Sequence, residues 1–166
     1  MIGLDDFKAN AEKEGICEEY RSLWDRCISK KDIMDMALGV KAVDYLCNAI
    51  AKGWGMSPSA IRERFDKYIN GHYVKDNGKY TSQMFCKFNG LLECNTTLLV
   101  LLECNISVII PENHICEIYA CGKSKIDISG QGQALVITYG NPDDIVLTTD
   151  MDVRCKRLRK KDRDRY

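Results

Sequence analysis

The chain predicts an α+β fold, about five N-terminal helices followed by a C-terminal β-stack. Three observations carry that expectation. The hydrophobic period changes from helical to alternating near residue 75. Residues 91–95 and 101–105 repeat one pentapeptide, Leu-Leu-Glu-Cys-Asn, ten residues apart. Turn-forming Asn and Gly punctuate everything after Asp76 at short, regular intervals. A ten-residue repeat is too short for a helical unit and fits strand, corner and strand. A small β-solenoid is the favoured form of the stack, with a sandwich or barrel-like meander second. The expected division is a helical domain over 1–75, a β-rich domain over 76–153 and a basic flexible tail over 154–166.

The helices follow from caps and stripes. Asp5 or Asp6 can open a first short helix that Gly15 ends, and Ile16 to Ile28 places Tyr20, Leu23, Trp24 and Cys27 on one face. Ser29 with Asp32 resembles a capping box for Lys30 to Leu38. Val43, Leu46, Cys47 and Ile50 form the i, i+3, i+4, i+7 stripe of the next helix. Ser57 and Pro58 read as cap and first-turn residue of a helix ending near Asn70-Gly71.

The strands alternate cleanly in Ile106/Val108/Ile110, Ile126/Ile128 and Leu135/Ile137/Tyr139. Leu98 to Leu102 is apolar on both faces and belongs in the middle of the β structure. Asn and Gly tolerate positive φ, so they supply the corners. In a solenoid of this period, Cys94 and Cys104 would stack at equivalent positions of adjacent layers.

Composition narrows the function classes. The 45% hydrophobic content of these 166 residues builds an ordinary core. The first residues, Met1 to Asp6, carry no basic leader, and the longest apolar run stops at Glu103, so the expectation is a cytoplasmic protein without membrane insertion. Nine cysteines, an odd number, then read as reduced and mostly buried thiols. The net charge of zero divides into +6 on residues 154–166 and −6 on the rest. Such a tail has too little apolar surface to order itself and is expected to be mobile.

No cluster amounts to a catalytic, cofactor or metal motif. His114, Cys116 and Cys121 offer three soft ligands but lack a fourth, and buried strand thiols explain them better. Gly130-Gln131-Gly132 joins two strands and reads as a turn. Residues 49–65 resemble a helix-turn-helix, with Arg62, Arg64 and Lys67 on the second helix, but the turn is about two residues too long. Glu63 and Asp66 also dilute its charge. A plain hairpin burying Ile61, Phe65 and Tyr68 is the simpler reading. Candidate partner contacts are therefore Arg62, Arg64 and Lys67, the tail residues Arg157, Arg159, Lys160 and Lys161, and the aromatic Trp54.

The order Phe65 to Val74, Tyr80 to Cys86 and Ala134 to Gly140 resembles a family of small uncharacterised proteins of gut Bacteroidota and of the phages and mobile elements they carry. The resemblance covers roughly residues 5 to 141 and has no diagnostic motif. It implies a bacterial cytosol and an accessory role. The expected function is a non-enzymatic interaction module, in that setting a host-modulating or anti-defence inhibitor that binds a host protein or nucleoprotein complex. The acidic body suits a partner with a basic, nucleic-acid-binding surface. Two alternatives stand beside it: a nucleic-acid-binding accessory protein, and a small-molecule binder or enzyme at the domain junction near Trp54, His72 or His114. A β-stack ending in Ile145 to Thr149 leaves an open edge, from which a homodimer is expected.

Overall fold

The computed structural model describes residues 8–9, 12, 18–53, 57–76 and 80–159. Four helices are bounded within them: α1 (Glu18–Asp25), α2 (Lys30–Ala37), α3 (Val43–Ala51) and α4 (Pro58–Arg64). The fifth expected helix, between Asp5 or Asp6 and Gly15, lies largely outside the described residues. The Ser29–Asp32 capping box is formed in both directions, Ser29 Oγ accepting from the Asp32 amide and Asp32 Oδ2 from that of Ser29. Ser57 caps α4 ahead of Pro58. That helix stops at Arg64 rather than near Gly71: Phe65 leaves helical geometry to bury its ring, and a 3-10 turn, Asp66–Tyr68, follows.

The remainder is a β-solenoid of about four turns. Its strands are β1 (Val74–Asp76), β2 (Tyr80–Cys86), β3 (Asn89–Glu93), β4 (Leu98–Leu102), β5 (Asn105–Ile110), β6 (Ile115–Cys121), β7 (Ser124–Gly130), β8 (Gln133–Tyr139), β9 (Ile145–Thr149) and β10 (Arg154–Arg159). They form a six-stranded sheet ordered β1-β2-β4-β6-β8-β10 and a four-stranded sheet ordered β3-β5-β7-β9. Every pairing is parallel except β1 with β2. From β2 onward, successive strands thus alternate between sheets, as a coiling chain requires.

The coil length corrects the expected stacking of the repeat. One coil runs from Ser82 to Leu98 and from Asn89 to Asn105, sixteen residues in each sheet. Ten residues are only part of a coil. Cys94 therefore sits at the corner between β3 and β4, whereas Cys104 sits at the corner between β4 and β5. Both are buried and free, as expected, but they occupy different corners.

Two apolar layers hold the molecule together. Phe85, Leu99, Leu101, Ile118, Ala120 and Val136 of the larger sheet meet Ile106, Val108, Ile126 and Ile128 of the smaller one inside the coil. The outward residues of the larger sheet, including Met84, Val100, Leu102, Tyr119 and Ile137, pack against Leu38, Val43, Leu46, Ile61 and Phe65 of the helical segment. Helix α3 lies over β6 and β8, and α4 over β2. Strand β4 is buried along its whole length, as its uninterrupted apolar run predicts.

Residues 154–159 are a further correction. Expected within a mobile tail, they form β10, which pairs with β8 from Arg154↔Gln133 to Arg159↔Thr138. An open parallel edge offers backbone hydrogen bonds to any strand that reaches it, and that gain does not require an apolar sequence. Residues 160–166 lie outside the described residues.

Candidate interaction surface

The corners fix how the two sheets present their side chains. At each passage from the larger to the smaller sheet, the first residue after the strand has positive φ: Lys87, Glu103, Gly122 and Gly140. These positions stack. The Lys87 amide donates to Leu102 O, the Glu103 amide to Cys121 O, and Lys87 Nζ lies 3.3 Å from Glu103 Oε2. Asn89-Gly90 and Asn105, expected as turns, instead lie within or open strands.

Once these corners set the register, the outer face of the four-stranded sheet is a grid. One row runs Asn89, Asn105, Lys125, Val146; the next Leu91, Ser107, Asp127, Thr148; the third Glu93, Ile109, Ser129. Leu91 is 67% exposed and Val146 55%. Asn105 Nδ2 donates to Asn89 Oδ1 at 3.2 Å, tying two neighbouring strands at the surface. Strands about 4.8 Å apart with about 3.3 Å per residue give this grid roughly 300 Å². No described element covers it, whereas the larger sheet has the coil interior on one side and helices on the other.

The basic residues singled out in the sequence do not converge. Arg62 Nη1 donates to Lys87 O at 3.0 Å, anchoring α4 to the first corner. Arg64 is half-buried and Lys67 exposed on the same segment. Arg157 and Arg159 lie on β10, four strand spacings from β2 and therefore about 19 Å away across the sheet. Arg157 is also turned into its own chain, Nη2 lying 3.1 Å from Ile145 O and 3.4 Å from Pro142 O. Arg159 is exposed. Lys160, Lys161 and Trp54 lie outside the described residues.

Arg157 closes one end of an interior row the sequence did not reveal. The row reads Gln83, Leu99, Ile118, Val136, Arg157 through the five strands from β2 to β10. Polar residues stand at both ends of an apolar column. Only the coil register brings them into line.

A second unforeseen cluster lies at the seam between α3 and the larger sheet. Tyr139 donates its hydroxyl to Asp44 Oδ1, and Tyr119 donates to Glu117 Oε2 at 3.0 Å. The two rings stack with centroids 6.3 Å apart. Burial, and then the neighbouring carboxylates, push both hydroxyls well above the ordinary tyrosine range. They stay protonated near neutral pH and act as donors, so the cluster fastens the helix to the sheet. Glu117 and Tyr119, two apart on one strand, were the available signal; Asp44 offered none.

The histidines and strand thiols are held by their own neighbours. His72 stands edge-on to Tyr68, with centroids 5.5 Å apart. His114 Nε2 lies 2.8 Å from Thr96 O, which makes that nitrogen the donor. Strand β6 sends Cys116 into the coil and Cys121 toward the helices, so His114, Cys116 and Cys121 do not share a centre. Among the described residues, no three His, Cys, Asp or Glu side chains are grouped to hold a metal ion. No described helix is long and apolar enough to cross a membrane. Comparison with protein-family models, with curated proteins and with solved structures returned no match.

Proposed function

We propose that the protein is an interaction module that binds a macromolecular partner through the outer face of its four-stranded sheet. The single observation behind this reading is that bare grid on a molecule whose other sheet is covered on both sides. Parallel coiling fixes the spacing of the side chains, so little ordering entropy is lost on docking. Leu91, Val146 and half-buried Ile109 supply apolar contact, and Asn, Ser and Thr supply hydrogen bonds. The −6 charge carried outside residues 154–166 favours a partner with a basic surface, such as a host protein that handles nucleic acid. In the mobile-element setting suggested by the sequence resemblance, occupying that surface would make the protein an inhibitor.

The test is capture from a host lysate by wild type and by the double variant Leu91→Asp/Val146→Lys, followed by mass spectrometry. Both positions are exposed, so the variant keeps its fold. A partner bound by wild type and lost from the variant supports the face; identical captures sink it.

Strand β10 favours a second reading. Arg154, Lys156 and Arg159 are exposed along its length. Binding of single-stranded DNA that weakens steeply with salt in wild type, and that is weaker with a shallower salt dependence in Arg154→Glu/Lys156→Glu, would support a nucleic-acid role.

A further inference from the structure

The first coil ends differently in its two sheets. In the larger one, β1 pairs with Tyr80 to Ser82 of β2, and Asn70 takes up the rest of that edge. The Asn70 amide donates to Met84 O at 2.8 Å, Oδ1 accepts from the Cys86 amide at 2.9 Å, and Nδ2 donates to Cys86 O at 3.4 Å. One asparagine thus imitates a strand and closes the edge.

Strand β3 of the smaller sheet has no such cover among the described residues. Asn105 donates its amide to Phe88 O at 2.9 Å, and Cys94 donates to Ile109 O at 2.8 Å. With the parallel register from Asn89↔Asn105 to Glu93↔Ile109, these bonds turn the amides and carbonyls of Gly90 and Leu92 toward β5. Those of Asn89, Leu91 and Glu93 point the other way, and all three residues are exposed. The vacancy beside them is one strand wide, because β1 already carries the larger sheet one strand past β2. Two side-chain groups are unspent at the same end. Asn105 Nδ2 donates to Asn89 Oδ1, which leaves Asn89 Nδ2 as the last donor of that ladder, without a described partner. Gln83, 2% exposed at the end of the interior row, has a buried Oε1 with no partner.

We propose that the β3 edge receives an extended segment of a protein partner, which adds parallel to β3 as a fifth strand of the smaller sheet. This rests on the reading of the outer face as the interaction surface, and it names the element the partner contributes. The exposed amides and carbonyls of Asn89, Leu91 and Glu93 supply the main-chain bonds. Side chains set the sequence. In the outer rows, an oxygen acceptor stands beside Asn89, an aliphatic residue beside Leu91, and Lys or Arg beside Glu93, whose carboxylate is in none of the described ion pairs. On the inner side, hydroxyl or amide residues bring a donor to Gln83 Oε1. The cation agrees with the basic partner that the −6 charge outside residues 154–166 favours.

The experiment follows amide hydrogen exchange and chemical shifts of the native full-length protein by NMR, with the end-blocked peptide Thr-Asn-Thr-Leu-Thr-Lys-Thr as probe. In the free protein, the amides of Gly90, Leu92 and Cys94 should exchange slowly and those of Asn89, Leu91 and Glu93 fast. Millimolar peptide should slow the second set and shift its signals. The same peptide N-methylated on its threonines should do neither, since those are the amides that face β3. Glu93→Lys should weaken the peptide by up to about five-fold, and a peptide with Glu in place of Lys should recover the loss. Uniform protection along β3 in the free protein, unmoved signals at millimolar peptide, or equal binding of the N-methylated form each overturns the proposal. Val146→Lys, three strand spacings away, should leave the peptide bound. If lysate capture depends on Val146 while no peptide binds, the face stands and the edge falls; if the peptide binds while wild type and the double variant capture alike, the edge stands without the face.

Discussion

Corner residues show how backbone sterics and coil geometry divide the work. Lys87 and Glu103 adopt positive φ with a Cβ, a strain of order 1 kcal/mol for each, and their ion pair across one coil spacing offsets only part of it. Glu103→Gly should therefore be neutral or stabilising by up to about 1 kcal/mol in urea denaturation. Gly130→Ala should lose about 1–3 kcal/mol or more, because φ is +104° and a Cβ would meet Ile110 O at 2.2 Å. Leu102→Ala should cost about 2–5 kcal/mol, since that side chain is fully buried between β4 and the helices.

Two thiols should leave opposite marks on the pH dependence. Burial raises the Cys86 pKa to about 12, so its support of the fold is complete below the unfolded value of about 8.5 and is lost as pH climbs toward 12. Cys94 has the reverse sign. Its support is present above the unfolded value and disappears as pH falls through about 6. Urea midpoints in reductant should show wild type gaining stability over Cys94→Ser as pH rises from about 6 to about 8.5, with the two curves parallel above about pH 9. Parallel curves throughout would contradict the ionised state of Cys94.

Among the elements, β10 changes most from the sequence expectation. A charged run was expected to stay mobile because it lacks apolar surface, and that argument omits the backbone. Six residues pair with β8, while Val153 is buried just before the strand and Cys155 packs on the core beneath it. Deleting residues 154–166 should therefore lower the melting temperature by several degrees; an unchanged melt would show that β10 contributes nothing. Arg157→Ala should itself cost about 1.5–3 kcal/mol, since it leaves the Ile145 and Pro142 carbonyls without that charged donor. The same basic residues defend the edge, because repulsion between copies discourages strand-to-strand addition there.

At the scale of the whole molecule, the size of the bare face bears on self-association. About 300 Å² is well short of the roughly 800 Å² per partner that a stable interface buries. Any stable complex on this face, with a second copy or with another partner, must therefore reach beyond the grid onto the flanking corners. The other edge is β9, which pairs with β7 on one side among the described residues. A homodimer joining two β9 strands about a twofold axis would make one continuous eight-stranded sheet and remove both edges. Light scattering at micromolar concentration should then give twice the chain mass; a monomer would leave β9 as an open edge and rule out this assembly.

The sequence by itself determined the capped helix starts and the apolar strands, though not β10 or the end of α4, because capping and periodicity are local. Ser29 with Asp32 and Ser57 with Pro58 act over a single turn, and the Leu98 to Leu102 run states its own burial. It also determined the turn at Gly130-Gln131-Gly132, although the carbonyl that excludes a side chain there belongs to the preceding coil. Only the tertiary structure decided the coil length, because a ten-residue repeat does not say how many strands and corners make one circuit. Once that length is sixteen or more, Cys94 and Cys104 fall at different corners, Arg157 becomes an end cap, and Arg62 braces a corner. Those contacts depend on which residues stack across coils, and stacking is a property of the closed path of the chain.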